Sequence, residues 1–162
     1  MSLDDQALEE IERQAVELAW STGKLLLDYF QGPLHVEWKG KEEGDDPVTE
    51  ADRQAEAYLK EEFARRFPDH ALVGEEGAGE GSEAAPLTWV IDPLDGTTNF
   101  LNRLPFFASS IALLEEGIPV VAAVFVPWPS SQRGRVIHAR KGGGAWDEET
   151  SLQVSPGSSP RS

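Results

Sequence analysis

The chain has 162 residues, a formal net charge of −15 at pH 7 and no cysteine. This length suffices for one domain with a hydrophobic core, and no apolar run approaches the roughly 20 residues that a membrane-spanning helix needs. The acidic charge argues against nucleic acids and anionic membranes as partners, because both attract basic surfaces. The absence of cysteine excludes disulfides and thiolate metal sites. No signal peptide is visible at the acidic N-terminus, and we therefore expect a cytoplasmic protein.

A long amphipathic helix is predicted at the start of the chain. Apolar residues recur at spacings of three and four from Leu8 to Tyr29, which is typical of a helix with one buried stripe. Ser2 is the expected N-cap, followed by acidic residues in the first turn. The dipeptide Gly32-Pro33 is expected to end this helix.

A second helix is predicted between Thr49 and Pro68. Apolar positions from Ala55 to Phe67 mark its buried face, again at helical spacing. Thr49 and Asp52 have the spacing of a capping box, with Asp in place of Glu. Asp52 therefore has a structural interpretation, as a residue that stabilises the N-terminus of the helix.

Short apolar segments predict strands next to these helices. Residues 34–38 alternate between apolar and polar side chains, and residues 71–73 and 89–91 are short apolar runs. Both patterns are typical of strands. The charged segment 39–47 is expected to be a mobile loop, and the glycine-rich segment 77–86 a flexible one.

The second half of the chain predicts an antiparallel sheet. Further strands are predicted at residues 106–114, 120–126, 136–140 and 152–154. The short turn at 115–119 implies an antiparallel hairpin, and residues 127–134 are expected to form another turn region. Two helices followed by mostly antiparallel strands indicate the α+β class. The tail, 155–162, is rich in Pro and Ser and is expected to be disordered.

The segment 89–100 carries the candidate chemistry. Asp92 directly follows the predicted strand, and Pro93 is expected to end that strand. Asp95 comes three residues after Asp92, and Gly96 permits a tight turn. Two carboxylates and a set of free backbone N–H groups would then lie at the C-terminal end of a strand, where ligand sites of α/β sheets tend to form.

A third carboxylate, Glu75, follows the end of another predicted strand. If the two strands are neighbours, Glu75 converges with Asp92 and Asp95. Three carboxylates at one point favour a hard cation, and Mg²⁺ suits such a site because it also retains waters and binds substrate phosphate.

Four motifs of this chain resemble those of the inositol monophosphatase family, a family of Mg²⁺-dependent, lithium-sensitive phosphatases. The first is Asp-Pro-Leu-Asp-Gly-Thr-Thr-Asn-Phe at 92–100, and the others lie at 46–52, 73–76 and 141–145. They occur in the family's order and spacing, over most of the chain. The resemblance implies two N-terminal helices packed on a mainly antiparallel sheet, the first half of the family's αβαβα sugar-phosphatase fold. Residues 1–154 would then form its N-terminal metal-binding domain.

The resemblance also implies a set of metal ligands. Glu75, Asp92 and the backbone carbonyl of Leu94 would hold a first Mg²⁺. Asp92 and Asp95 would hold a second, and Glu75 with solvent would support a third, loosely bound ion. The expected cofactor is therefore Mg²⁺, with two to three ions.

Further roles follow from the same resemblance. Thr97 and Glu75 would orient and activate the attacking water, and Asp52 would support Thr97. The backbone N–H groups of Gly96 and Thr97, beside Asp95, would bind the phosphate. Lys39 or Lys41 would lie in the mobile loop that the family folds over its site.

The function implied is Mg²⁺-dependent hydrolysis of a small phosphate monoester by metal-activated water, in a cytoplasmic homodimer. The expected substrate is an inositol monophosphate or a related sugar or polyol phosphate. Fructose 1,6-bisphosphate and 3′-phosphoadenosine nucleotides are the alternative substrate classes.

The chain departs from the family in its length. Family members have a second α/β domain whose Trp-Asp signature completes the second metal site, and that domain is absent here. Trp146-Asp147 lies at the wrong place for this signature and is interpreted as a coincidence. The chain is then a truncated product, a natural half-enzyme that completes its site by association, or a non-catalytic domain that binds metal or a partner. An apolar sheet face left uncovered would favour oligomerisation.

Overall fold

The computed structural model describes residues 3–32, 36–38, 47–74, 85–128 and 131–154. These residues form three helices, α1 (Asp5–Gln31), α2 (Glu50–Arg66) and α3 (Thr97–Leu101). They also form nine strands: β1 (Val36–Trp38), β2 (Pro47–Thr49), β3 (Ala71–Val73), β4 (Leu87–Asp95), β5 (Ala108–Glu115), β6 (Ile118–Trp128), β7 (Ser131–Arg140), β8 (Gly144–Asp147) and β9 (Thr150–Leu152).

Strands β3 to β9 form one sheet of seven strands, arranged in chain order. Only the β3–β4 pair is parallel, and the other neighbours in this sheet are antiparallel. Strands β1 and β2 pair with each other in a separate antiparallel ladder. Helices α1 and α2 both contact this seven-stranded sheet and each other. The predicted α+β class, with two N-terminal helices on a mainly antiparallel sheet, is confirmed.

Helix α1 begins later than expected and ends where expected. Its N-cap is Asp4, whose Oδ1 accepts a hydrogen bond from the Ala7 N–H at 2.8 Å. The expected cap, Ser2, lies outside the described residues. The last helical residue is Gln31, and Gly32 follows in an extended conformation. Asp caps a helix as well as Ser does, and Asp4, which was expected in the first turn, takes the cap position instead.

Close packing of α1 on the sheet depends on a glycine. A β-carbon added to Gly23 would lie only 2.1 Å from the ring of Phe125. Phe125 is fully buried in β6, so the helix backbone rests directly on its ring. Burial of such aromatic surface is a main contribution to the stability of the core.

A network of buried ion pairs links α1 to β7. Glu12 lies within 2.8 Å of His138 Nδ1 and 3.0 Å of Arg140 Nε. The other ring nitrogen of His138 lies 3.1 Å from the Glu148 carbonyl. Arg140 also pairs with Asp5 near the start of α1. The Glu12 carboxylate is therefore balanced by a cation of the protein itself, the Arg140 guanidinium.

The other helix, α2, covers the β3–β4 side of the sheet. Its buried residues are Ala51, Ala55, Leu59 and Phe63, and Phe63 packs on Trp89 with ring centroids 4.7 Å apart. Trp89 also donates a hydrogen bond from Nε1 to His70 Nδ1 at 3.0 Å. The helix ends at Arg66, before Pro68, as predicted.

Strand β4 does not end at Pro93, which corrects the sequence prediction. The strand continues to Asp95, and its register against β5 shifts between Asp92 and Asp95. A proline lacks the N–H that a regular ladder needs, but a bulge leaves one residue unpaired. The irregularity thus accommodates Pro93 and lets the strand carry both carboxylates.

The later strands were predicted with wrong limits. Strand β5 begins at Ala108 instead of residue 106, and the last strand lies at 150–152 instead of 152–154. The turn predicted at 127–134 is much shorter, because β6 extends to Trp128 and β7 begins at Ser131. Strand β2 was not predicted. Most of the loop predicted at 39–47, like the loop at 77–86 and the tail at 155–162, lies outside the described residues.

The predicted hairpin between β5 and β6 is confirmed. Its two turn residues, Glu116 and Gly117, both have positive φ angles, of 51° and 79°. This is the pattern of the two-residue hairpin turns that match the twist of antiparallel strands. No helix in the described part of the chain is long and apolar enough to cross a bilayer.

Candidate functional site

Two carboxylates lie at the C-terminal end of β4. Asp92 pairs with Ser110 and Asp95 with Ala108 of β5, on either side of the register shift. Asp92 is half-buried and its Oδ1 is withdrawn from solvent, whereas Asp95 is exposed. The strand end therefore presents two acidic groups of different solvent exposure, three residues apart.

The turn after β4 requires glycine. Gly96 has a φ of 87°, and a β-carbon on it would lie 2.8 Å from the Phe106 carbonyl oxygen. Any other residue would meet both a disfavoured backbone conformation and a steric clash. Gly96 is also the N-cap of α3, so the chain passes from strand to helix within one residue.

Helix α3 places Thr97 above the end of β4. The Thr97 hydroxyl donates a hydrogen bond to the Leu94 carbonyl at 3.2 Å. Because its proton is used in this way, the lone pairs of Oγ1 remain to accept a hydrogen bond from a water or a ligand. The first N–H groups of any helix lack partners within that helix, and here they follow directly after Asp95.

The short helix α3 was not predicted from the sequence. It spans five residues and contains two Thr and one Asn, which have low helix propensity. Threonine and asparagine directly after a glycine are equally typical of a loop. Its formation depends on tertiary contacts of the residues that follow it.

Asp52 lies in the first turn of α2 and is half-buried. Strand β2, which directly precedes α2, contacts α3. The structure therefore brings the N-terminal end of α2 close to α3 and Thr97. The predicted support of Thr97 by Asp52 stays a prediction.

Three residues assigned to the site from the sequence, Glu75, Lys39 and Lys41, lie outside the described residues. Val73, the last residue of β3, pairs in parallel with Val90, so β3 and β4 are neighbours, as the convergence of their carboxylates requires. Within the described part of the chain, no group of three or more His, Asp or Glu residues is arranged to hold a metal.

The ligand atoms available at the end of β4 are of the chemical type that a hard cation prefers. Asp92 and Asp95 offer carboxylates, and Leu94 between them offers a backbone carbonyl, all oxygen ligands of the type that Mg²⁺ binds. Histidine and thiolate ligands, which softer metals select, are missing from the described residues around this strand end. Completion of the predicted ligand set depends on Glu75.

Trp146 and Asp147 are both engaged in the β7–β8 hairpin. Asp147 forms an ion pair with Arg135 of β7, and Trp146 Nε1 donates a hydrogen bond to the Gly143 carbonyl at 3.0 Å. These contacts hold the hairpin together. They agree with the interpretation that this Trp-Asp pair is not the metal-binding signature.

A cavity of about 740 Å³ lies beside Asp95. Its walls are mainly apolar: Pro105, Phe106, Phe107, Ala108, Val126, Pro127 and Ile137, with Gly96 and Asn99 at the polar end. Phe106 is 69% exposed and Ile137 37% exposed. Exposed apolar side chains therefore lie next to Asp95, and the predicted uncovered sheet face stays a prediction.

Comparisons with known proteins point to one family. The inositol monophosphatase family model matches residues 7–162. Inositol monophosphatase 2 of Saccharomyces cerevisiae is 35% identical over 157 residues, which cover 96% of this chain and 52% of the yeast protein. Histidinol-phosphatase of Chlorobaculum parvum is 38% identical over 141 residues, which cover 87% of this chain and 52% of that protein.

A solved structure shows the same fold. The inositol monophosphatase of Anabaena (Nostoc) sp. PCC 7120 superimposes with a TM-score of 0.76 and 31% identity, over 93% of this chain and 51% of that one. The chain thus spans about half the length of the relatives that it matches.

Proposed function

The chain belongs to the inositol monophosphatase family, and from this premise we propose that it carries the metal- and phosphate-binding half of a Mg²⁺-dependent phosphatase. The reaction is hydrolysis of a small phosphate monoester. The observation that carries the proposal is the end of β4, where Asp92, Leu94 and Asp95 offer oxygen donors directly before the glycine turn. We further propose that residues 1–154 form one domain and that the protein is a cytoplasmic homodimer.

The metal site of this proposal uses hard oxygen donors. Asp92, the Leu94 carbonyl and Glu75 would hold one Mg²⁺, and Asp92 with Asp95 a second; a third ion would bind loosely at Glu75. When bound, these ions would neutralise charge and lower the pKa of water at the site. The formal charge of −15 gives them a further role, because without cations an acidic site repels a phosphate dianion.

The residues of the chain then position the reactants. Thr97 accepts a hydrogen bond from the attacking water, because its hydroxyl already donates its hydrogen bond to the Leu94 carbonyl. Asp52, at the start of α2, supports Thr97. The N–H groups of Gly96 and Thr97 hold the phosphate, as unpaired N–H groups at a turn or helix start do elsewhere. Lys39 or Lys41 would lie in the loop that the family folds over its site.

The substrate class follows from the relatives. One is named for inositol monophosphate hydrolysis and another for histidinol phosphate hydrolysis. Both substrates are phosphate monoesters of small alcohols, and we propose this class for the protein, with an inositol monophosphate as the first candidate.

The test is phosphate release by the purified protein from inositol 1-phosphate and from histidinol phosphate, with Mg²⁺ and with or without Li⁺. We expect Mg²⁺-dependent release that Li⁺ inhibits. Asp92→Asn should lower the rate by about 10²- to 10³-fold, the usual loss when one preorganised electrostatic group is removed. Asp147→Asn is the matched control, because it makes the same chemical change at a hairpin ion pair. An unchanged rate in Asp92→Asn would contradict the proposal.

A second candidate function is metal binding without turnover. It requires only the oxygen donors of Asp92, Leu94 and Asp95 at the end of β4. Titration calorimetry with Mg²⁺ beside the activity assay separates the two candidates. Binding without phosphate release supports the second, and the absence of binding contradicts both.

A further inference from the structure

The turn that follows α3 has an unusual residue at its key position. Arg103 adopts a left-handed conformation, with a φ of 59°. Its N–H donates to the Phe100 carbonyl at 3.1 Å, and the Leu104 N–H donates to the Asn99 carbonyl at 2.9 Å. These two bonds define a Schellman motif, in which the left-handed position is usually glycine. The contacts of the arginine side chain are therefore of interest.

The Arg103 side chain reaches back to the end of α1. Its two terminal nitrogens donate hydrogen bonds to the carbonyl oxygens of Phe30 and Gly32. The guanidinium carbon also lies 5.9 Å from the centre of the Phe30 ring. The last turn of α1 contains no basic residue of its own, so Arg103 supplies the positive charge that favours a helix C-terminus.

Three aromatic rings complete the contact between these segments. Phe30 lies 5.4 Å from Phe100 of α3 and 5.1 Å from Phe107, and Phe100 lies 4.9 Å from Phe107. Phe100 and Phe107 are buried. The guanidinium covers the solvent side of this cluster, where Arg103 is exposed.

The same segment fixes the glycine turn of the candidate site. The Asn99 side chain donates a hydrogen bond to the Phe106 carbonyl at 2.8 Å, and Gly96 packs on that same carbonyl. Residues 96–107 therefore form a closed loop that begins at the candidate phosphate site and includes Arg103. Its contacts with α1, through Arg103 and the Phe cluster, set where the loop lies.

We propose that Arg103 is a positioning residue that holds the loop 96–107 against the C-terminus of α1, and so fixes the direction of the Gly96 and Thr97 N–H groups. The proposal rests on the function proposed above for these N–H groups. Glycine would serve the backbone of the turn better. The arginine instead provides a guanidinium that joins the turn after α3 to the C-terminus of α1.

The test compares Arg103→Gly with Arg103→Lys. Arg103→Gly relieves the left-handed backbone and removes the guanidinium, so it separates the two roles. We expect amide hydrogen exchange in residues 97–104 to become about tenfold faster, while residues 109–125 keep their protection. The dissociation constant of inorganic phosphate, measured by titration in the presence of Mg²⁺, should rise about tenfold. Arg103→Lys keeps one charged donor and should recover part of both effects.

Steady-state kinetics distinguish positioning from a general loss of folded protein. N–H groups that bind phosphate equally in the ground and transition states change KM and leave kcat nearly constant. We therefore expect a raised KM in Arg103→Gly, whereas partial unfolding would lower the apparent kcat. Arg133→Gly is the matched control, because Arg133 also stacks on an aromatic ring of α1, at 4.8 Å from the Trp20 centroid, but belongs to β7. It should change none of these quantities.

Wild-type exchange rates and phosphate affinity in Arg103→Gly, or slower exchange, would overturn the proposal and leave Arg103 as a turn residue only. If Arg103→Gly fails to fold, Arg103→Met provides the same comparison, because it keeps an unbranched side chain without donors. If the wild-type protein binds no phosphate with Mg²⁺, the proposed function fails, and the exchange measurement still decides whether Arg103 holds the loop.

Discussion

The carboxylates next to β7, on one side of the sheet, and at the end of β4, on the other, differ in their electrostatic partners. At the β7 side, Glu12 is mostly buried, pairs with the Arg140 guanidinium and lies beside the His138 ring. At the end of β4, Asp95 is exposed and forms no ion pair with any residue that the structure describes. A carboxylate balanced by its own protein contributes to structure, whereas one left without such a cation is available to an external one.

The largest expected effect of this difference is on stability. Glu12→Gln removes the better-buried of the two anions that pair with Arg140 and leaves it only the exposed Asp5, and breaking a buried pair in this way costs about 3–5 kcal/mol. Asp95→Asn makes the same chemical change at an exposed position, where substitutions usually stay within about 0.5 kcal/mol. Urea unfolding followed by tryptophan fluorescence measures both. Equal losses of unfolding free energy in the two variants would show that Glu12 and Asp95 do not differ in their contribution to stability.

The next effect is the response to Mg²⁺. A ligand that binds only the folded state raises its stability, by about 2.7 kcal/mol at 100 times the dissociation constant. We expect Mg²⁺ to stabilise the wild-type protein and Glu12→Gln alike, because the Glu12 network already contains its cations. Asp92→Asn should lose this response.

The comparison is made by thermal unfolding with MgCl₂ and with NaCl at equal ionic strength, so that general screening cancels. If Asp92→Asn responds to Mg²⁺ as the wild-type does, the ions bind elsewhere. If Glu12→Gln loses the response, the two sides of the sheet are not independent.

The sequence predicted most of the fold because its strongest patterns are local. The apolar periodicity of α1 and α2 and the hairpin turn at Glu116-Gly117 follow from side-chain spacing and backbone preference. The extension of β4 through Pro93 was missed, because the bulge that accommodates a proline is created by pairing with β5. Helix α3 was missed for a related reason, since its end is fixed by contacts with α1.

The candidate site was predictable only as a set of residue types. The segment 92–97 contains its carboxylates, glycine turn and hydroxyl in one continuous motif, so the sequence alone indicated them. Arg103 carried no such signal, because its partners lie 73 and 71 residues away in the chain. A contact of that kind arises from the packing of α1 against α3, which no local pattern specifies.

The smallest expected effect concerns the histidine on the β4 side. His70 accepts a hydrogen bond from Trp89 Nε1, and Phe67 stacks on it at 5.1 Å. Burial lowers the pKa of His70 below its ordinary value of 6.5, opposed in part by the nearby Asp69. The folded state therefore favours the neutral ring, whereas the His138 ring faces the Glu12 carboxylate on the other side of the sheet.

The sign of the pH dependence follows from this lowered pKa. Below about pH 6.5 the unfolded chain binds a proton at His70 more readily than the folded protein does, so the free energy of unfolding falls as the pH is lowered. Above that pH the ring is neutral in both states and contributes no slope. His70→Gln keeps an acceptor for the Trp89 N–H but does not titrate. We expect the wild-type protein to lose more stability than His70→Gln between about pH 7.5 and 5.5, measured by urea unfolding. The difference between the two proteins cancels the titration of all other groups, and identical slopes would show that folding does not lower the pKa of His70.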